Sequence, residues 1–123
     1  LHPHPSRLSS VLYIVPMGED ALKKAMGIAS ELREEGCFVE YDLIGKGLNA
    51  QMKYANKIGA KFVMVLGDNE IESGVAKLKN MATGEQTDIR LDNTIAENFS
   101  NALMADMFKD IDADIEKFIG KEN

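Results

Sequence analysis

A chain of 123 residues with a formal net charge of -6 and a sequence pI near 4.9 has room for one domain, and its acidity argues against a general binder of polyanions. Its single cysteine, Cys37, excludes an internal disulfide and a cysteine-based zinc site, and no apolar run has the length of a membrane span or the form of a signal peptide. A soluble, cytoplasmic protein without a membrane partner is therefore expected. The acid is unevenly placed: residues 97–123 carry seven acids against three bases, so the remaining body is nearly neutral. Within that body Lys46, Lys53, Lys57, Lys61, Lys77 and Lys79 form either a local basic surface or an ordinary solvated face.

The chain begins at Leu1 rather than at methionine, which predicts a piece of something longer or a processed product. His2-Pro3-His4-Pro5 is read as the end of a linker, residues 1–10, because alternating prolines favour extended backbone. These are the only histidines, too few for a metal site and absent from the body where a Ser/His or Cys/His pair would be needed. Val11–Val15 predicts the first strand, stopped by Pro16 and Gly18. A helix over 19–35 follows, with Leu22, Ala25, Met26, Ala29 and Leu32 as its apolar stripe and Gly36 at its end. Cys37–Leu43 is the next strand, giving a parallel βαβ crossover. The Pro16-Met17-Gly18 turn lacks the glycine pattern of a phosphate loop, and Glu19 and Asp20 already occupy the helix start.

A second helix is expected over 48–58, with Leu48, Met52 and Ala55 inward and Gly59 as a left-handed cap. Phe62–Leu66 is five apolar residues in a row between glycines, which predicts a central strand with both faces covered. Asp68–Gly74 is turn chemistry, and strands over 75–80 and 86–91 make a hairpin around Gly84. Strand alternation puts Val75, Lys77 and Lys79 on one face and Ala76 and Leu78 on the other. A third helix over 93–108, capped by Asp92 or Thr94 and with Thr94 and Glu97 spaced as a capping box, buries Ile95, Phe99, Leu103 and Met107. Residues 109–123 are an acidic amphipathic tail or helix, laid on the domain or offered to a partner. Asp110, Asp112 and Asp114 begin like a calcium loop, but Ile115 replaces its glycine and Lys121 its final glutamate. Asp68 with Glu19 and Asp20 suggests a phosphorylated receiver domain, against which the hairpin argues, because that fold would need further βα units there.

Three stretches carry a resemblance to a known family. YIVPMGEDALKKAMGIASELREEG, Gln51–Ala60 and VMVLGDNEIESGVAKLKNMATGEQ are similar to the C-terminal anticodon-binding domain of class II aminoacyl-tRNA synthetases, over about Val11 to Leu103. Leu78–Gln86 resembles the L-K-x-[LM]-x-T-G-E-Q of the histidyl enzymes. The resemblance implies a three-layer α/β/α fold with a five-stranded mixed sheet over 11–108. It also implies recognition of the tRNA(His) anticodon loop on behalf of a histidine-tRNA ligase. That ligase's catalytic domain, using ATP with magnesium, would precede Leu1, leaving this chain with no catalytic residue and no cofactor of its own.

By position Glu72 and Lys79 match residues that related enzymes aim at anticodon bases, and strand alternation adds Lys77. Carboxylates accept from base amino groups and cations bond base carbonyls, although Glu72 is equally read as a solvated turn residue. Met81 stands where related enzymes can have a base-reading arginine, and the segment from Asp106 runs past the usual family end. The parent is expected to be a homodimer and the isolated domain a monomer. The other class of function is a stand-alone or pseudo-synthetase module that binds protein with the same fold.

Overall fold

The computed structural model of the chain describes residues 11–120, so the linker reading of residues 1–10 lies outside the described residues. Five strands form one sheet: β1 (Leu12–Pro16), β2 (Val39–Tyr41), β3 (Phe62–Leu66), β4 (Val75–Asn80) and β5 (Gln86–Arg90), in the order β2-β1-β3-β4-β5. β1 pairs in parallel with β2 and β3, while β3–β4 and β4–β5 are antiparallel, so the sheet is mixed as expected. The helices are α1 (Glu19–Glu34), α2 (Leu48–Lys57), α3 (Asp68–Ser73) and α4 (Ile95–Gly120).

Alternation along the strands divides the interior in two. Leu12, Ile14, Phe62, Met64, Leu66, Ala76, Leu78 and Ile89 meet α1 and the first turns of α4, forming the main core. Tyr13, Val15 and Val63 face the other way and meet Ala55 of α2 in a smaller one. β3 therefore contributes to both, and Val63 is buried whereas Val65 is half-buried at the margin of the second core. Phe99 of α4 is fully buried and packs edge-on against Phe62 at 5.7 Å between ring centres.

Several boundaries and faces differ from the sequence reading, each for a local reason. The stripe of α1 runs Ala21-Ala25-Ile28-Leu32 with Ala29 beside it, which leaves Met26 exposed. On α2, Gln51 and Ala55 are buried, Met52 is half-buried and Leu48 is exposed at the helix start. β2 is shorter than Cys37–Leu43, because the Cys37 amide donates to Leu32 at the end of α1 and Asp42 bends the chain away after Tyr41. There the Asp42 carboxylate accepts from the Gly45 and Lys46 amides at 2.7 and 2.8 Å. Burial opposes its charge, but those amides and the Lys46 cation outweigh it and hold its pKa below the ordinary carboxylate value.

The segment read as a turn, Asp68–Ser73, is a short helix. Glu70 reaches back to the Gly67 amide at 2.7 Å, and Gly74, at a φ of 75°, releases the chain into β4. The last helix is continuous from Ile95 to Gly120, with no break near residue 108. Asp92 arranges its start by accepting from the Thr94 amide and hydroxyl, while the Thr94 hydroxyl accepts from Asn98, in place of a Thr94–Glu97 box. Leu103 is half-buried and Met107 exposed, so the expected buried stripe ends early, and the last turns are not laid on the domain.

Truncating Phe99 would leave a cavity between α4 and the sheet, so Phe99→Ala is expected to cost about 3–5 kcal/mol in urea unfolding. Met26→Ala, at an exposed position, should stay within about 0.5 kcal/mol. Comparable losses at the two positions would contradict the assigned faces.

Candidate nucleic-acid interface

The second face of the sheet is only partly covered. α2 lies over Tyr13, Val15 and Val63, whereas the same face of β4 and β5 is open. Register fixes what this open shelf displays. Val75 pairs with Arg90, Lys77 with Asp88 and Lys79 with Gln86, and Val63 of β3 lies beside Lys79 on its inner edge. Because paired residues share a face, Lys77, Lys79, Gln86, Asp88 and Arg90 project together. Their sequence neighbours Ala76, Leu78 and Ile89 are buried in the main core. Lys77 and Lys79, the pair expected from strand alternation, are thus brought together, and the shelf adds Gln86, Asp88 and Arg90. The signal for these three in the sequence is alternation along the second hairpin strand.

Electrostatically the shelf is mixed. Lys77 forms an ion pair with Asp88, each side chain being more than 60% exposed, so the pair contributes little and is open to exchange. Lys79 is half-buried, and Gln86 and Arg90 are exposed. Glu72 is not on the shelf strands but on α3, exposed, two residues before Gly74. The Gly74 carbonyl accepts from Leu91 at 2.8 Å, and the Ser73 hydroxyl bonds both the amide and the carbonyl of Val75. Glu72 therefore lies near a tied-down corner at the end of the shelf where Val75 meets Arg90, on a helix whose Ile71 packs against the main core on the other side of the sheet. Of the other lysines, Lys61 is paired with Asp106, and Lys46 lies over the Tyr54 ring at 5.3 Å. Tyr54 in turn meets Tyr13 edge-on at 5.7 Å. Burial, reinforced by Asp42, Tyr54 and Glu40, pushes the Tyr13 hydroxyl up to about 12, so it stays neutral.

The far end of the shelf is the hairpin turn, and α4 braces it from the core side. Asn80 uses its carbonyl oxygen to accept from the Ala82 and Thr83 amides at 2.9 and 3.1 Å, and its amide donates to Asp106 at 2.9 Å. Asp106 also accepts from Lys61 at 3.0 Å, and Lys109 reaches Glu85 at 3.2 Å. Partial burial disfavours the Asp106 carboxylate, but the Lys61 and Asn80 hydrogen bonds, with the Lys61 and Lys109 charges, lower its pKa. Met81, half-buried against the α2 core, donates its amide to the Lys61 carbonyl at 2.8 Å. Its side chain thus packs against the second core. Among the described residues there is no cluster of three His, Cys, Asp or Glu able to hold a metal, and no helix long and apolar enough to cross a membrane.

Comparison with known proteins agrees with this geometry. A family model described as an anticodon binding domain matches residues 12–98. The histidine-tRNA ligase of Acetivibrio thermocellus is 54% identical over 85 residues, covering 69% of this chain and 20% of that protein. The ligase of Clostridium perfringens is 49% identical over 90 residues, covering 73% and 21%. The chain spans about a fifth of the length of these curated relatives. Apo histidyl-tRNA synthetase of S. aureus superposes with a TM-score of 0.70 at 37% identity, covering 75% of this chain and 27% of that one. Prolyl-tRNA synthetase of Cryptosporidium parvum, at a TM-score of 0.68 but 15% identity, shares the fold.

The Asp106 clasp lies beyond the residues that the family model matches, yet it ties three separate segments together. Asp106→Ala should lower stability by about 1–3 kcal/mol near neutral pH, since it removes two hydrogen bonds to a charged group. A carboxylate whose folded pKa is lowered stabilises the fold above its unfolded pKa, and that contribution fades as pH falls through the folded value. Urea unfolding of parent and variant should accordingly converge in acid. A difference that persisted undiminished there would show that the carboxylate's charge is not what holds the clasp.

Proposed function

The chain belongs to the anticodon binding domain family, and from that premise we propose that it reads the anticodon loop of tRNA(His) for a histidine-tRNA ligase whose catalytic domain lies outside this chain. The observation that supports this reading best is the open β4–β5 shelf. A single-stranded loop is read by splaying its bases across a surface that offers hydrogen-bonding groups at fixed spacing, and a sheet supplies such spacing from its register. Lys77 and Lys79 offer donors to base carbonyls or phosphates, with Lys77 releasing Asp88 to do so. Glu72, at the corner of the shelf, accepts from a base amino group. Gln86 and Arg90 extend the same row.

The parent joins histidine to its tRNA with ATP and magnesium, acts in the cytoplasm and is a homodimer; this chain supplies recognition and no catalysis. Its own affinity for RNA is weak. A nearly neutral body engages few phosphates, so a dissociation constant on the order of micromolar or poorer and about two to four released counterions are expected at physiological salt. Most of the parent's hold on tRNA then comes from contacts in its other domain, with avidity from linking two weak sites.

Titration of the 123-residue chain with matched and unmatched anticodon stem-loops, at two salt concentrations, tests the reading. Replacing Lys77 and Lys79 together with alanine should weaken the matched complex about tenfold and reduce the salt slope by up to about two. Tight, steeply salt-dependent binding that ignores the anticodon, or no effect of the double substitution, would overturn it.

A further inference from the structure

One acid stands in the shelf's row of donors. Along the β4–β5 ladder the paired positions are Val75 with Arg90, Lys77 with Asp88 and Lys79 with Gln86, and Asp88 is the single carboxylate among them. A carboxylate weakens a surface for phosphate, and here it also neutralises its neighbour through the Lys77–Asp88 ion pair. Tracking of an RNA backbone has no use for it. Both side chains are more than 60% exposed, so their remaining hydrogen-bonding capacity is open to a ligand. What the pair displays is ordered: the Lys77 ammonium donates, Asp88 Oδ1 accepts beside it, and Asp88 Oδ2 accepts next. The neighbouring pairs carry no such order, because the Gln86 amide both donates and accepts, and the Arg90 guanidinium only donates.

We propose that the Lys77–Asp88 pair takes one guanine of the anticodon loop by its Watson–Crick edge, with Asp88 as the specificity-determining residue. The inference rests on the tRNA reading above and adds to it the base that this pair selects. Donor, acceptor, acceptor is the order in which cytosine meets guanine in a base pair. As Lys77 loosens from Asp88 it turns one of its three donors to guanine O6, and the two carboxylate oxygens accept from the adjacent N1–H and N2–H groups. Guanine alone makes all three contacts. Adenine and cytosine offer one amino group on that edge, and uracil one ring N–H, so each leaves a carboxylate oxygen unpaired. Asp88 thus trades phosphate affinity for base discrimination, in keeping with a shelf that binds RNA weakly and selectively.

Fluorescence anisotropy of the whole chain with the matched anticodon stem-loop tests the assignment, each loop guanine being replaced in turn by inosine, which lacks the 2-amino group. At one of these positions inosine should weaken binding about tenfold, and at that position Asp88→Asn should no longer prefer guanine to inosine. The amide changes the displayed order to donor, acceptor, donor, the complement of uracil, so Asp88→Asn should there bind uridine better than guanine. Because the side chain is exposed, thermal unfolding of the variant should match the parent. A parent that separates matched from unmatched loops while Asp88→Asn keeps the full inosine penalty would overturn the assignment and leave the tRNA reading standing. Asp88→Asn that tightens every loop equally, as loss of a repelling charge would, overturns it in the same way. A parent that does not separate matched from unmatched loops overturns both.

Discussion

The width of the sheet relative to what covers it governs the rest of this structure. Five strands at about 4.8 Å spacing span about 19 Å, whereas a helix with its side chains is about 10–12 Å across. On one face α1 and α4 stand side by side and cover the sheet from β1 to β5. On the other there is only α2, centred on β1 and β3. Two strands' worth of surface is left over, and it falls on the antiparallel hairpin.

An uncovered sheet face cannot be apolar in water, and β4 and β5 meet that constraint by alternation, alternate residues entering the main core while their neighbours carry amine, amide, carboxylate and guanidinium groups outward. A hairpin held by one neighbouring strand would twist and fray. Its base is tied through Gly74 to Leu91, and its tip through Asn80 and Asp106 to α4 and Lys61. The shelf is thus a fixed array on a braced support, so in the proposed recognition of a flexible loop the ordering cost falls on the RNA alone. The helix that supplies the brace continues outward beyond the domain, so one element both steadies the hairpin and carries a run of exposed apolar side chains.

Much of this was legible in the sequence. The five strands, the three long helices and the mixed sheet follow from apolar runs, period changes and capping glycines, because burial enforces those patterns locally. α3 was not legible, since its six residues, Asp68–Ser73, have no apolar stripe and depend on the Glu70–Gly67 hydrogen bond. Met26 and Leu48 were assigned inward because hydrophobicity marks a helix face only to within one residue, and which side meets the sheet is a tertiary decision. The pairing of Lys77 and Lys79 on one face came from alternation, whereas Arg90 and Gln86 needed the β4–β5 register to join them. Glu72 came from resemblance alone, and only the fold sets it at the corner of the shelf. The outer half of α4 was recognised as amphipathic, but its orientation depends on where Ile95 and Phe99 anchor the helix.

The most direct measurement is amide chemical-shift mapping of the chain titrated with the matched anticodon stem-loop. The account predicts that the largest changes fall on Val75–Asn80, Gln86–Arg90 and the Glu72 corner, with α1 and the buried start of α4 unaffected. Changes centred on α1 or on the Leu43–Lys46 loop, with the hairpin silent, would contradict it.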